Sequence, residues 1–193
     1  MASGRLFMAV LAAGSSRRFG SADKLAALFR GKRLGEYVCS NAPIDRIADG
    51  CALVITAKKD HPCLAGWEQA GFEIALNARA ERGMGTSVAL AATLAQKAKC
   101  DALLIALADM PLVPRSHFEA LIDSARTPAA CWASDTGKAR TPPAIFGENH
   151  FAKLAQLGED MGARALLQQA EPLACLPEWL EDIDTPEALA RLS

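Results

Sequence analysis

The stretch Leu6-Phe7-Met8-Ala9-Val10-Leu11-Ala12-Ala13-Gly14-Ser15-Ser16-Arg17-Arg18-Phe19-Gly20-Ser21-Ala22-Asp23-Lys24 decides the fold class. Residues 6–12 are continuously apolar and run into small residues and Gly14. That is the pattern of a strand covered on both faces, which has no polar side to alternate with. Similar runs recur at 51–56 and 102–108, and a shorter strand is expected at 74–76. Helical patterns lie between them at 34–47, 66–70 and 86–98. In the last of these, Val88, Leu90, Ala91, Leu94 and Ala95 form one apolar stripe, with Thr86 or Ser87 as the expected N-cap. Beyond them the pattern predicts a helix at 117–125, a strand at 130–133, a break at Pro142-Pro143, and helices at 151–157 and 162–169. Thr185 followed by Pro186 marks one more helix start, a cap residue and then proline at the first helical position. Strands alternating with helices define an α/β fold with a mostly parallel central sheet.

The chain has 193 residues, a length that fits one domain spanning 1–193. It is 51% hydrophobic and 22% charged with a net charge of −1. A near-neutral chain lacks the basic face that nucleic acids or anionic membranes demand, so neither is expected as a partner. Residues 6–13 are too short an apolar run to span a bilayer or to serve as a secretion signal, so the expected location is cytoplasmic. The six cysteines include no closely spaced pair, and the three histidines lie far apart. This excludes the usual zinc spacings and points to buried thiols of a reducing compartment.

In open α/β sheets ligands gather beyond the carboxyl ends of the strands. The loop after the first strand is rich in small residues there, so a ligand can approach its backbone N–H groups closely. Arg18 can add a forked charge-assisted contact and Lys24 a point charge. The loop ends neither in Gly-Lys-Ser/Thr nor in Gly-x-Gly-x-x-Gly, so it is not a standard P-loop or a dinucleotide fingerprint. On its residues alone it also fits a basic surface turn. Asp109 follows the strand at 102–108 and suits a metal ligand beside a phosphate, or a turn aspartate before Pro111. Asp182 and Asp184 alternate around Ile183 and therefore share one side, either to complete a metal site or to cap the helix that follows. Asn77 and the run Arg82-Gly83-Met84-Gly85-Thr86-Ser87 form a Gly-rich helix entry that suits a polar ligand or a plain turn.

The order of these pieces is more specific than any one of them. Leu11 to Gly20 followed by Lys24 resembles the opening signature of the molybdenum-cofactor nucleotidyltransferases, kin of the sugar-phosphate and isoprenoid-precursor nucleotidyltransferases. The resemblance continues through Leu28, Gly31 and Leu34, then Asn77, Gly83 to Ser87, and Ala108-Asp109-Met110-Pro111. It closes with Pro143-Ala144-Ile145-Phe146, Gly158 to Leu167, and Asp182 to Pro186, and so covers nearly the whole chain. It implies a Rossmann-like three-layer α/β/α fold. The NTP would lie on Leu11, Ala12, Ala13, Gly14, Ser15, Ser16, Arg18, Lys24, Asn77, Gly83 and Ser87. Arg18, Lys24 and Asp109 would be catalytic, and Mg²⁺ would sit on Asp109 and Asp184. The acceptor would meet Pro143, Ala144, Asp160 and Arg164.

The reaction implied is in-line attack of a terminal phosphate of molybdopterin on the α-phosphorus of the NTP, releasing pyrophosphate. Such chemistry asks for positioning and charge stabilisation and needs no covalent nucleophile. In the family Leu-Ala-Ala-Gly tends to go with CTP and Leu-Ala-Gly-Gly with GTP, so the resemblance implies CTP over GTP through Ala13. Its side chain narrows the space beside the base. The alternatives are guanylyl transfer to the same cofactor, transfer to another phosphorylated acceptor, and a carrier or chaperone of the cofactor without catalysis. The implied partners are thus CTP or GTP, molybdopterin, and a molybdoenzyme or its chaperone.

Overall fold

The computed structural model describes residues 4–14, 19, 23–158 and 161–192, with residues 161–163 described by their backbone alone. Seven strands form the central sheet: β1 (Leu6–Leu11), β4 (Ala52–Thr56), β5 (Glu73–Leu76), β6 (Ala102–Leu107), β7 (Cys131–Asp135), β8 (Arg140–Gly147) and β9 (Glu171–Ala174). Two short strands, β2 (Leu28–Phe29) and β3 (Lys32–Arg33), make a separate hairpin. The sheet order is β5-β4-β1-β6-β8-β7-β9, and β8 alone runs antiparallel to its neighbours β6 and β7. This is the mostly parallel α/β sheet that the apolar runs predict.

β1 is buried at every position because both faces are covered. Met8, Val10 and Ala12 point into one core with Leu104 and Ala106, while Phe7, Ala9 and Leu11 point into the opposite core with Leu103 and Ile105. Three helices cover the first face: α1 (Tyr37–Asn41) through Val38 and Cys39, α2 (Leu64–Gln69) through Trp67, and α4 (Arg115–Ser124) through Phe118 and Leu121. The other face is covered by α3 (Met84–Lys97), α5 (Phe151–Ala155) and α6 (Met161–Gln169). α3 meets the sheet with Val88, Ala91, Ala92 and Ala95, small residues that let a helix lie close to it. The Rossmann-like three-layer arrangement follows. A third cluster joins Phe29, Leu34 and Ile183, with Leu189 of α7 (Pro186–Leu192) packed on it.

Several local readings change. The helical pattern at 34–47 divides into a 3₁₀ turn, α1 and, beyond Pro43, a second 3₁₀ turn at Ile44–Arg46, because proline cannot continue a helix. α3 starts at Met84, and its N-cap is Gly83 rather than Thr86 or Ser87. Pro142-Pro143 does not break the chain into separate elements but lies inside β8. There the register with β7 jumps between Ala133 and Ser134, so the two missing N–H groups cost no ladder bonds. The strand expected at 130–133 runs Cys131–Asp135, and the helix at 151–157 ends at Ala155. α7 begins as its residues predict: Ala188 N donates to Thr185 Oγ1 at 3.2 Å. Four cysteines are buried and two half-buried, all as free thiols. Among the described residues no helix is long and apolar enough to cross a membrane.

Candidate active site

Chain order reverses at β1. β4 and β5 lie to one side and β6 to the other, so the loops leaving their carboxyl ends diverge and open a crevice. A cavity of about 600 Å³ fills it, walled by Leu11, Ala12, Ala13 and Gly14 after β1, and by Leu107 and Asp109 after β6. Lys24 and Leu25 form a further wall, and 80–84 with Ser87 close the opposite side. Eight of the expected nucleotide and catalytic residues thus surround one space: Leu11, Ala12, Ala13, Gly14, Lys24, Gly83, Ser87 and Asp109. Ser15, Ser16, Arg18 and Asp160 lie outside the described residues.

Lys24 stands on a 3₁₀ turn, Lys24–Ala26, capped by Asp23, whose Oδ1 accepts from Leu25 N at 3.1 Å. Its Nζ donates to Asp109 Oδ2 at 2.5 Å and to Asp184 Oδ1. Burial by itself would lower the Lys24 pKa, but Asp109 and then Asp184 outweigh it and hold the ammonium above its ordinary value. Asp184 reaches this point because Ile183 is fully buried beneath it and donates its N–H to Asp109 O at 3.0 Å. Asp182 completes the group: one oxygen from each of Asp109, Asp182 and Asp184 lies within 4.8 Å of the others. Burial first, then Asp184 and Asp109, push the Asp182 carboxyl up. Three carboxylates around one ammonium leave an excess of negative charge beside the pocket, a set of hard oxygen donors suited to a divalent cation.

Asn77 is close by without lining the cavity. Its Nδ2 donates to Thr86 Oγ1 and Ser87 Oγ, each at 2.9 Å, while its Oδ1 accepts from Arg79 N. It ties β5 to the entry of α3 and so shapes the wall that Ser87 forms. Gly83 adopts φ +107°, a conformation L side chains rarely take, which turns the chain into α3. Pro143, Ala144 and Arg164 do not meet in this cavity. Ala144 is 1% exposed and packs into the core beside Phe146, so its side chain faces protein rather than an acceptor. Pro143 O accepts from Ser134 Oγ at 2.7 Å, and that hydroxyl meets His117 Nε2 at 2.7 Å. Arg164 is exposed on α6.

The sequence reading gave no role to Asp23 or His61. Asp23 Oδ2 takes Lys58 Nζ at 2.8 Å and faces His61 Nε2 at 3.2 Å. Nothing in the local sequence marks His61, 37 residues beyond Lys24, as a neighbour of Asp23.

The crevice at the switch point, walled by small residues and edged by carboxylates and a lysine, lies where open α/β sheets hold their ligands. Residues 8–173 match the model of the MobA-like NTP transferase domain, and the chain belongs to that family of nucleotidyltransferases. It is 31% identical over 191 residues to the purine catabolism protein PucB of Bacillus subtilis, covering 92% of this chain and 90% of PucB. Among solved structures, a nucleotidyl transferase from Methanothermobacter superposes with a TM-score of 0.74 at 17% identity, covering 97% of this chain and 95% of that one. Rv0371c of Mycobacterium tuberculosis, in its complex with manganese, superposes with a TM-score of 0.63 at 20% identity, covering 98% and 97%.

Proposed function

We propose that this nucleotidyltransferase moves CMP from CTP to the terminal phosphate of molybdopterin and releases pyrophosphate. The observation that carries the reading is the single crevice in which Gly14, Lys24, Asp109, Gly83 and Ser87 meet. The backbone at 12–14 takes the triphosphate, as glycine-rich anion sites do. Lys24 offsets charge on the β- and γ-phosphates as the pyrophosphate departs, and Arg18 acts with it. Gly83 and Ser87 receive the base. Ala13 lines the same cavity, and its methyl group takes up room that a purine needs, which supports CTP over GTP.

Asp109 and Asp184, with Asp182, are the residues that would hold Mg²⁺, and the manganese complex of the structural neighbour supports a divalent ion there. Bound there, the ion would neutralise phosphate charge and help hold the triphosphate in line. Lys24 gathers Asp109 and Asp184 at one point, which supports the reading that the two carboxylates act together. Chemistry of this kind rests on orientation and preset charge and needs no covalent nucleophile.

The test is pyrophosphate release assayed for each NTP with molybdopterin, and with sugar phosphates or isoprenoid phosphates in its place. Release with CTP, molybdopterin and Mg²⁺ is expected. Release with GTP instead would reassign the base. Clear release only with another acceptor would overturn the molybdopterin reading, and binding of the cofactor without any release would make the protein a carrier.

A further inference from the structure

The turn that carries Lys24 is held by one segment, 58–67, whose His61, Cys63 and Trp67 are buried. Lys58 Nζ donates to Asp23 Oδ2 at 2.8 Å. His61 Nε2 faces the same oxygen at 3.2 Å. Cys63 Sγ donates to Leu25 O at 3.1 Å. The two residues flanking Lys24 in sequence are thus each fixed by this segment, one through its carboxylate and one through its carbonyl.

His61 is the centre of that grip. It is 4% exposed and stacks on Trp67, with ring centroids 4.6 Å apart and planes 24° apart. Trp67 is itself fully buried and donates its indole N–H to Gly35 O at 2.8 Å, so the ring cannot swing. His61 Nδ1 accepts from Cys63 N at 3.1 Å, which leaves Nε2 as the ring's donor, 3.2 Å from Asp23 Oδ2 but off the line of a hydrogen bond, so the contact is an electrostatic one. Asp23 in turn keeps its other oxygen on Leu25 N, the bond that caps the Lys24 turn.

We infer that His61 is a positioning residue: through Asp23 it fixes the turn that presents Lys24 to the triphosphate. The inference rests on Lys24 being the phosphate ligand of the proposed function. A long lysine stem has many rotamers, and a charge that must meet a triphosphate gains from a base that does not move. His61 touches no substrate in this scheme and acts only by holding Asp23.

The test uses the full chain and Mg²⁺-tripolyphosphate as the probe, titrated calorimetrically, with thermal unfolding followed in parallel. His61→Gln keeps an N–H donor near the Nε2 position, whereas His61→Asn keeps only the acceptor near Nδ1. His61→Asn is expected to weaken binding roughly tenfold, as displacement of a charged group by a fraction of an ångström does. His61→Gln is expected to stay within about twofold of wild type, and His61→Asn is expected to add nothing in a Lys24→Ala background. If His61→Asn does not fold, Asp23→Asn made in a Lys58→Met background reads the same contact, because the Lys58 bond to that oxygen is already gone, an oxygen is kept for Leu25 N and an amide is turned toward His61; the same roughly tenfold loss relative to Lys58→Met is expected. Equal losses in the Asn and Gln variants, or a loss that adds to Lys24→Ala, would assign His61 to general stability and overturn the inference. Wild-type binding by His61→Asn would overturn it too while leaving the functional reading intact. Wild-type binding by Lys24→Ala would remove Lys24 from the phosphate site and both readings with it.

Discussion

Lys24 Nζ lies 2.5 Å from Asp109 Oδ2, joining a turn after β1 to the end of β6 across 85 residues of sequence. The pair sits at 10% and 19% side-chain exposure, with Asp184 as a second partner of the ammonium. A half-buried ion pair of this kind is a poor device for stability, since desolvation offsets most of its attraction. It is a good device for holding charge ready at a polyanion site.

Replacing Asp109 by asparagine keeps the shape and removes the charge. Pyrophosphate release is expected to fall roughly 10²–10³-fold, the usual loss when a preset electrostatic group is removed. Steady-state rates with CTP and molybdopterin at saturating Mg²⁺ check this. Activity within about fivefold of wild type would take Asp109 out of the catalytic centre.

Ala13 is expected to govern the base. Ala13→Gly opens room in the cavity wall, and the ratio of kcat/KM for GTP to that for CTP is expected to rise about tenfold or more. One carbon in a pocket is worth that much discrimination. An unchanged ratio would locate base selection elsewhere, with Ser87 and the 80–84 wall the next candidates.

Ile183 anchors the acidic segment. Ile183→Ala removes a fully buried side chain from the small cluster with Phe29 and Leu34, at an expected cost of about 2–5 kcal/mol in denaturant unfolding. Because the same residue fixes Asp182 and Asp184, Mg²⁺-nucleotide affinity of the folded fraction is expected to drop as well. Ile183→Val is expected to cost about 0.5–1.5 kcal/mol and to spare that affinity. Loss of stability with unaltered affinity would separate the anchor from the metal ligands.

The Asp23 contacts predict acid sensitivity. His61 first, then Lys58 and Leu25 N, pull the Asp23 carboxyl well below the ordinary carboxylate range, against a smaller opposing push from burial. Its folded-state pKa is therefore lower than the unfolded value of about 3.9. The stabilisation is complete above the unfolded value and is lost as pH falls below it toward the folded value. Urea midpoints of the wild type are expected to fall more steeply than those of Asp23→Asn between about pH 5 and pH 3. Parallel slopes would show that Asp23 contributes nothing there.

The central strands β1, β4 and β6 were legible because they are buried on both sides, whereas the largely exposed β9 left no such run. A run such as Leu6 to Leu11 has no polar phase and cannot be mistaken for a surface element. Boundaries were less so: Leu34, Val38 and Cys39 carry an apolar pattern into Pro43, and only the proline tells where the helix stops. Pro142-Pro143 reads as a break from residue type alone, yet a register jump opposite Ser134 lets the strand carry both residues. The acceptor residues were the least legible. Ala144 looked available in a short motif, whereas alternation along β8 turns it into the core.

The sequence by itself determined which residues were candidates for the site: Gly14, Lys24, Asp109 and Asp184 stand out because small residues, a cation and carboxylates fall at strand ends, although each residue type there also fits a plain turn or cap. Tertiary structure alone decided that Lys24 bridges Asp109 and Asp184, that Asn77 braces a wall instead of forming one, and that His61 stands behind Asp23. The physical reason is the range of the forces concerned. Apolar periodicity is written into neighbouring residues, but a contact between charges 85 or 160 residues apart exists only after the sheet has set where each loop ends.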